Sequence, residues 1–257
     1  MKVKVIIPFR LREGADFRRS ANLEIVQAWW YMFGTEAVIV DDGLEGDAQF
    51  NRHRAYNRAV EKFPETDVFV FSEADMLIHP DQIRAACGLA CERPGLVVPF
   101  TQYRYLSDEK TAILRDSYHD LSPKEVTEWW SRPSTSLASI FAWKAESTMD
   151  NGTSIGAVNV VSRETLDTTG GFTEATSGNW YDDNIIEEGF AHLTGQRTRF
   201  VDGPAVHMYH IPGHTGDHLS RADRDATRHN KNLLVRMRSD IRMRQTHSVR
   251  ALMMVRR

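Results

Sequence analysis

Charged side chains follow three predicted strands in the first third of the 257-residue chain. The strand at residues 3–8 is followed by Phe9-Arg10-Leu-Arg12, the strand at 36–40 by Asp41-Asp42-Gly43, and the strand at 67–71 by Ser72-Glu73-Ala-Asp75. In open α/β sheets, ligands bind beyond the carboxyl ends of the strands, so these loops should converge on one rim. Arginine pairs with phosphate oxygens in a fork geometry, and carboxylates hold hydroxyls and hard cations. Together the loops indicate a site for a diphosphate, a ribose and a divalent cation, although each loop alone is also ordinary turn chemistry.

Two carboxylates and two later histidines are the candidate metal ligands. Glu73 and Asp75 follow an apolar strand, and Mg²⁺ and Mn²⁺ prefer such oxygen ligands. His207 and His210 come at the end of a late predicted strand, where imidazole could complete the coordination of a borderline ion such as Mn²⁺. Two alternatives stay open: Asp75 ends a strand before the helix that Pro80 opens, and the histidines face solvent or the core. The H-E-x-x-H helix of zinc hydrolases is absent.

Asp182 and Asp183 open a predicted helix directly after Trp180 and Tyr181. A carboxylate in this position predicts a general base at the floor of an acceptor pocket, with the two aromatic rings as flat surfaces for a sugar. The alternative is helix capping by Asp or Asn. The chain has no nucleophilic-serine motif, no G-x-x-x-x-G-K-[ST] loop and no G-x-G-x-x-G after the first strand. Kinase and dehydrogenase functions are therefore excluded.

The elements that must position these residues alternate between strand and helix, which is typical of a largely parallel sheet. Helices are predicted at residues 22–33, 48–63, 80–91, 163–168 and 182–193, and further strands at 96–100, 155–161, 198–201 and 205–209. The segment from 103 to 148 is harder to interpret, with a helix predicted around Trp129 and Trp130.

Composition and charge restrict the class of protein. Hydrophobic residues at 41% and charged residues at 26% are ordinary globular values, and a formal charge of -3 predicts no nucleic-acid partner. No leader peptide and no apolar run long enough to cross a bilayer is found, so we expect a cytoplasmic protein without a transmembrane segment.

The last forty residues differ in character from the rest. From residue 218 onward, eleven Lys and Arg stand against three Asp, with apolar residues between them. This pattern predicts a helix that packs on the domain and turns a basic face to solvent. The alternatives are a contact with an anionic membrane, a homo-oligomer formed through this tail, or an acidic acceptor.

Four segments carry, in order, the motifs of one enzyme family. They are Pro8-Phe9-Arg10-Leu-Arg12, Phe50-Asn51-Arg52, Val68-Phe-Val-Phe-Ser72-Glu73-Ala-Asp75, and Gly156-Ala-Val-Asn-Val-Val-Ser162 through Gly170-Gly171-Phe172. They resemble the P-F-R-x-R, F-N-R, F-V-F-S-D-x-D and G-G-V…S…G-F segments of the β-1,4-galactosyltransferase catalytic domain. Val40-Asp-Asp-Gly43 is also similar to the polypeptide GalNAc-transferases.

The resemblance spans most of residues 3–210 and implies an α/β fold of the GT-A type, Rossmann-like, with a mostly parallel central sheet flanked by helices. We expect a GT-A domain at residues 1–217, with a nucleotide-binding half at about 1–100 and an acceptor half at about 101–217. A basic helical extension at 218–257 completes the expected organisation.

The resemblance also implies roles for individual residues. The nucleotide would be lined by Pro8, Phe9, Arg10 and Arg12, with Phe50 and Arg52 beside it and Asp41 and Asp42 on the same rim, and Glu73 would contact the ribose or donor sugar. The metal would be bound by Asp75, His207 and His210. Asp183 would be the base and Asp182 an acceptor contact, and the acceptor side would also include Trp180, Tyr181 and Gly156. Glu73 replaces an Asp of the family, and His207 replaces a Met, a change that favours a harder cation. The W-G-W-G-G segment of the family is not kept, so the acceptor cannot be transferred.

These expectations describe a hexosyltransferase of class EC 2.4. It would move a galactose-, GalNAc- or glucose-type sugar from a UDP-sugar to a hydroxyl of a glycan or protein, with Mn²⁺ as the expected ion and Mg²⁺ as the alternative. Inversion is expected, and a retaining mechanism stays open. The rival functions are a sugar-nucleotide nucleotidyltransferase and a degenerate, non-catalytic carbohydrate-binding module.

Overall fold

A computed structural model describes residues 1–10, 17–46, 48–118, 137–150, 155–178, 180–211 and 216–256. Strands and helices alternate along these residues, so the predicted α/β class is confirmed. The helix predicted around Trp129 and Trp130 lies outside the described residues, and so does Arg12.

The strands of the described residues form two sheets. They are β1 (Val3–Pro8), β2 (Ala37–Val40), β3 (Val68–Ser72), β4 (Met76–Ile78), β5 (Val97–Val98), β6 (Gln102–Tyr105), β7 (Ser147–Asp150), β8 (Val158–Ser162), β9 (Arg199–Phe200) and β10 (Pro204–His207). The larger sheet has the order β2-β1-β3-β8-β5-β9. Its neighbours pair in parallel except at β8, which is antiparallel to both β3 and β5. All residues of β3 and β8 are buried, as expected for apolar strands at the centre of a covered sheet.

Helices flank this central sheet. They are α1 (Phe17–Met32), α2 (Arg52–Lys62), α3 (Pro80–Glu92), α4 (Asp108–Tyr118), α5 (Leu137–Ala142), α6 (Arg163–Thr169), α7 (Asp182–Thr194), α8 (Arg221–Arg242) and α9 (Thr246–Met253). None of the helices in the described part of the chain combines the length and the apolar composition that a membrane span requires.

Helix α2 begins four residues later than predicted, at Arg52. Asn51 is its N-cap, because the Asn51 side chain accepts a hydrogen bond from the Arg54 backbone N–H at 3.0 Å. The Asn51 N–H in turn donates to Asp42 Oδ2 at 2.8 Å. The residues before Asn51 therefore form a loop, and Arg52 stands in the first turn of the helix.

The smaller sheet has the order β4-β10-β6-β7 and was not predicted. Strand β4 is only three residues long, too short to leave a period in the sequence. It pairs antiparallel with β10, with Met76 opposite His207, and the Met208 N–H donates to the Asp75 carbonyl at 2.8 Å. This pairing brings Asp75 beside the histidines at the end of β10.

The C-terminal segment is helical and basic, as predicted, and packs on the rest of the chain. Helix α8 starts with a capping box between Ser220 and Asp223. Its buried residues, Ala226, Asn230, Leu234 and Met237, recur at helical spacing, while most of its Arg and Lys are exposed. The arrangement matches the expected apolar face and solvated basic face.

Candidate functional site

Arg52, in the first turn of α2, lies among three carboxylates. Its Nη1 donates to Glu73 Oε1 at 2.7 Å and to the Gly156 carbonyl at 3.3 Å. Its Nε and Nη2 donate to Asp182 Oδ2 at 3.1 and 2.6 Å, and Nη2 also donates to Asp183 Oδ1. Only 12% of the Arg52 side chain is exposed, so these are largely desolvated ion pairs. Arg52 thus joins the end of β3 to the start of α7.

The turn before α7 has an uncommon backbone. Trp180 and Tyr181 have φ values of 80° and 67°, a left-handed conformation that bulky residues seldom adopt. Each such residue costs about 1–3 kcal/mol, and strain of this kind clusters at functional sites. Tyr181 is the N-cap and makes no side-chain capping bond. The capping alternative for Asp182 and Asp183 is therefore wrong, since both carboxylates turn to Arg52.

The three carboxylates have different proton affinities. Burial raises the pKa of Asp183 to about 8, against the opposing charge of Arg52. Burial likewise raises the pKa of Glu73 to about 7, again opposed by Arg52. For Asp182, burial acts in the same direction but is outweighed by Arg52, so its pKa lies below the ordinary value. An ionised acid beside one that titrates near neutral pH is typical of acid–base sites.

Gly156 leaves the space that the Asp183 carboxyl group occupies. A Cβ atom at Gly156 would collide with Asp183 Cγ and both of its carboxylate oxygens. In addition, 29% of the Asp183 side chain is exposed, and Trp180 is 47% exposed. Asp183 is therefore held close to the backbone at Gly156 and still accessible to a ligand.

Asp75, His207 and His210 form a cluster that could hold a metal ion. One ligand atom from each lies within 4.8 Å of the other two. His210 Nε2 is 3.0 Å from Asp75 Oδ2, and His207 Nε2 is 3.8 Å from Asp75 Oδ1. Asp75 Oδ1 is buried and has no hydrogen-bond partner among the described residues. A buried carboxylate oxygen of this kind calls for a donor or a cation.

The protonation states of the cluster fit a divalent ion. Burial lowers the pKa of His207 to about 4, so its ring is neutral at neutral pH and keeps a lone pair for a metal. Burial opposes ionisation of Asp75, but His207 and His210 outweigh it and lower the Asp75 pKa. Burial also lowers the pKa of His210, yet its bond to Asp75 raises it overall, so metal uptake would release a proton there. One carboxylate and two imidazoles suit Mn²⁺ and other borderline ions.

Glu73 lies between two sets of residues. One is Arg52 with Asp182 and Asp183, and the other is the Asp75 cluster. After burial, the largest influences on its pKa are Arg52 on one side and then Asp75 and His210 on the other. The two groups of residues predicted to act on acceptor and metal are therefore neighbours at one end of β3.

Arg10 and Asp42 hold the loop that precedes Phe50 and Arg52. Arg10 donates to the carbonyls of Leu44 and Ala48 at 2.6 and 2.5 Å, and its Nη1 lies 3.1 Å from Asp42 Oδ1. Asp42 is fully buried, and the Phe50 ring lies 5.7 Å from Arg10 Cζ. The sequence did not predict these supporting contacts, and direct contact with a nucleotide stays a prediction for these residues.

The remaining predicted residues of the rim lie at the ends of β1 and β2. Pro8 is the last residue of β1 and is buried, and the Phe9 N–H donates to the Val40 carbonyl at 3.1 Å. Asp41 is exposed, accepts a hydrogen bond from the Gly43 N–H at 2.8 Å, and lies 3.5 Å from Arg58 Nη2. Asp41 is thus available at the surface, whereas its neighbour Asp42 is committed to the interior.

Sequence reasoning missed Asn230, a fully buried residue of α8. Its Nδ2 donates to the carbonyls of Ser177 and Trp180, both at 3.0 Å, and its Oδ1 accepts from the Ser177 N–H at 3.2 Å. Asn230 therefore holds the left-handed turn from outside. The available signal was an Asn within the apolar stripe that Ala226 and Leu234 define at a spacing of four residues.

No protein-family model matches the chain, and no curated protein sequence matches it. Similar solved structures include the catalytic domain of Drosophila β1,4-galactosyltransferase 7 in complex with xylobiose, with 16% identity, a TM-score of 0.42, and coverage of 77% of this chain and 64% of that chain. The chain thus spans less than two thirds of the length of that galactosyltransferase chain.

Two further structures are similar over more of their length. A glycosyltransferase involved in glycosylation of the major capsid of PBCV-1 has 13% identity, a TM-score of 0.40, and coverage of 90% of this chain and 100% of that chain. Glucosyl-3-phosphoglycerate synthase from Mycobacterium tuberculosis, solved with Mn²⁺, UDP-glucose and phosphoglyceric acid, has 15% identity, a TM-score of 0.40, and coverage of 82% and 73%. At these identities and TM-scores the similarity assigns no role to any residue of this chain.

Proposed function

We propose that the chain is a metal-dependent hexosyltransferase that moves a galactose-, GalNAc- or glucose-type sugar from a UDP-sugar to a hydroxyl of a glycan or protein, with inversion. The observation that carries this proposal is the position of Glu73 between two chemically different groups. Arg52 with its acidic partners lies on one side, and the Asp75 cluster lies on the other. The ordered motifs shared with the β-1,4-galactosyltransferases support a UDP-sugar as donor.

On the donor side, the chain supplies ligands for a cation and for hydroxyl groups. Breaking the anomeric bond leaves positive charge on the sugar and negative charge on the diphosphate. Held by Asp75, His207 and His210, a divalent cation would neutralise the diphosphate as it leaves. Glu73 has a second oxygen besides the one bound to Arg52, and is placed to accept a hydrogen bond from a ribose or sugar hydroxyl.

On the acceptor side, Asp183 would take the proton of the attacking hydroxyl. Its raised pKa makes it a strong proton acceptor near neutral pH once it is ionised. Asp182 stays ionised against Arg52 and would orient the acceptor hydroxyl. The exposed Trp180 ring offers a surface on which a sugar could stack. Attack from the face opposite the diphosphate inverts the anomeric carbon.

The test is release of UDP from UDP-galactose, UDP-GalNAc and UDP-glucose, with and without Mn²⁺, followed by NMR of the anomeric proton of any product. We expect release with at least one donor, loss of release on addition of EDTA, and a product of inverted configuration. Formation of a UDP-sugar from UTP and a sugar phosphate would point instead to a nucleotidyltransferase. Binding of sugars without any release would indicate a non-catalytic module. A cytoplasmic location and an oligomer formed through the tail stay predictions.

A further inference from the structure

Arg19 is an exposed guanidinium in the first turn of α1, and no sequence motif drew attention to it. It has no hydrogen bond or ion pair with any of the described residues. Its neighbour Arg18 differs, since it donates to both carboxylate oxygens of Asp108, at 3.2 and 2.9 Å. Of these two adjacent arginines, Arg18 is paired with Asp108, whereas Arg19 is paired with none of the residues that the structure describes.

The packing of α1 directs this part of the helix to the Asp75 cluster. Asn22, three residues after Arg19 and hence on the same face, donates to the Tyr209 carbonyl at 3.1 Å. Arg18 Cζ lies 5.8 Å from the centre of the Tyr209 ring. Residues on both sides of Arg19 thus contact the residue that immediately precedes His210.

Electrostatics supports the same placement. Burial is the largest influence on the pKa values of Glu73, Asp75, His207 and His210, and the positive charge of Arg19 lowers the pKa of each of the four. A free positive charge beside a cation site is unfavourable unless an anion lies between the two. The guanidinium fork matches phosphate oxygens, and arginine is the usual residue for this purpose.

We propose that Arg19 binds the diphosphate of the donor, on the far side of the diphosphate from Asp75, His207 and His210. The proposal deepens the proposed function and rests on it for the identity of the ligand as a nucleotide. It assigns Arg19 as a phosphate-binding residue of the donor site, because an anion between the guanidinium and the cation offsets the repulsion between the two positive charges.

The test uses the full chain with inorganic pyrophosphate as the probe. Calorimetry would measure pyrophosphate affinity in the presence of Mn²⁺, and electron paramagnetic resonance would measure the affinity for Mn²⁺ alone. Arg19→Ala should weaken pyrophosphate binding by about 10-fold to 100-fold, the range for a charge-assisted hydrogen bond. Binding of Mn²⁺ alone should stay equal or become tighter, because a neighbouring positive charge is removed. The pyrophosphate affinity of Arg19→Lys should lie between those of the wild type and of Arg19→Ala.

Arg221→Ala is the matched control, since Arg221 is an exposed arginine in the first turn of α8. It should change neither affinity. Unchanged pyrophosphate affinity in Arg19→Ala would overturn the proposal, and so would equal weakening of both ligands, which would mean that Arg19 supports the fold of the cluster. If the wild type transfers sugar and Arg19→Ala binds pyrophosphate normally, only the role of Arg19 is disproved. If pyrophosphate binding depends on Arg19 but no UDP-sugar serves as a donor, the proposed function is disproved instead.

Discussion

At the scale of single residues, Asp183 is the side chain whose loss should separate chemistry from binding. Asp183→Asn keeps the size of the side chain but cannot take a proton. We expect kcat for transfer to fall by about 10²–10⁴-fold, the usual contribution of a well-placed base, with UDP affinity nearly unchanged. Asp225→Asn, at a half-exposed position on α8, is the control and should be fully active. Loss of UDP affinity in Asp183→Asn would assign Asp183 to donor binding.

The pH dependence of kcat/KM, which reports the free enzyme, follows from the raised pKa of the same carboxyl group. Asp183 acts as a base only when deprotonated, and burial raises its pKa to about 8. The rate of transfer should therefore rise with pH through that value and level off above it. The residual rate of Asp183→Asn should lack this rising limb. A wild-type kcat/KM that stays flat between about pH 6 and about pH 9 would exclude Asp183 as the base.

Gly156 tests whether the position of Asp183 matters as well as its charge. Gly156→Ala would push the Asp183 carboxyl group away from its place against Arg52, so transfer should fall strongly while the melting temperature changes little. The matched control is Gly88→Ala in α3, where an added Cβ meets nothing within 4 Å. That change should keep full activity and stabilise the helix by about 0.5–1 kcal/mol. Full activity of Gly156→Ala would show that Asp183 works from another position.

The types of the site residues could be read from the sequence, but their partners could not. Asp75, His207 and His210 were predicted as a group from strand ends and from the resemblance, and the structure places them within reach of one ion. The threefold pairing of Arg52 was not predictable, because its carboxylate partners come from segments far apart in the chain. The commitment of Asp42 to the interior was hidden for the same reason.

At the scale of elements, α8 supports the turn that carries Trp180. Asn230→Ala removes three hydrogen bonds and leaves partly buried backbone groups of Ser177 without these partners. We expect a loss of about 1–3 kcal/mol in the free energy of unfolding, together with weaker acceptor binding. Denaturant unfolding and the acceptor KM would measure the two effects. Asn232→Ala, an exposed position on the same helix, should leave both unchanged. An acceptor KM unaffected in Asn230→Ala would show that the turn holds itself.

Elements with a strong local pattern were predicted closely. Strand β1 matches its prediction, and α3 and α7 each extend one residue further than expected, because apolar spacing and a first-turn proline mark them. Short elements defined by distant partners were missed. Strand β4 exists only because β10 pairs with it, and α4 lies in a segment whose sequence gave no clear period.

At the scale of the whole molecule, the basic tail is part of the core rather than an appendage. Val249 and Met253 are fully buried, and the Glu174 N–H donates to the Val255 carbonyl at 2.9 Å. Burying an apolar side chain of this size contributes about 1.5–3 kcal/mol. A chain that ends at residue 217 should therefore melt at a much lower temperature or fail to fold. Arg236→Gln, which changes only the exposed basic face, should melt normally. Normal melting of the shortened chain would show that residues 218–257 are an extension that the fold does not require.

The left-handed conformation of Trp180 and Tyr181 limits which residues these two positions tolerate. Glycine adopts this backbone conformation without steric strain, whereas Trp180 and Tyr181 are strained in it. Replacing Tyr181 with glycine should relieve this strain but lose the contacts that the Tyr181 ring makes with the core. Such a variant would keep the Trp180 indole and lose the Tyr181 phenol, so the strain at position 181 is tied to that ring and not to the path of the backbone.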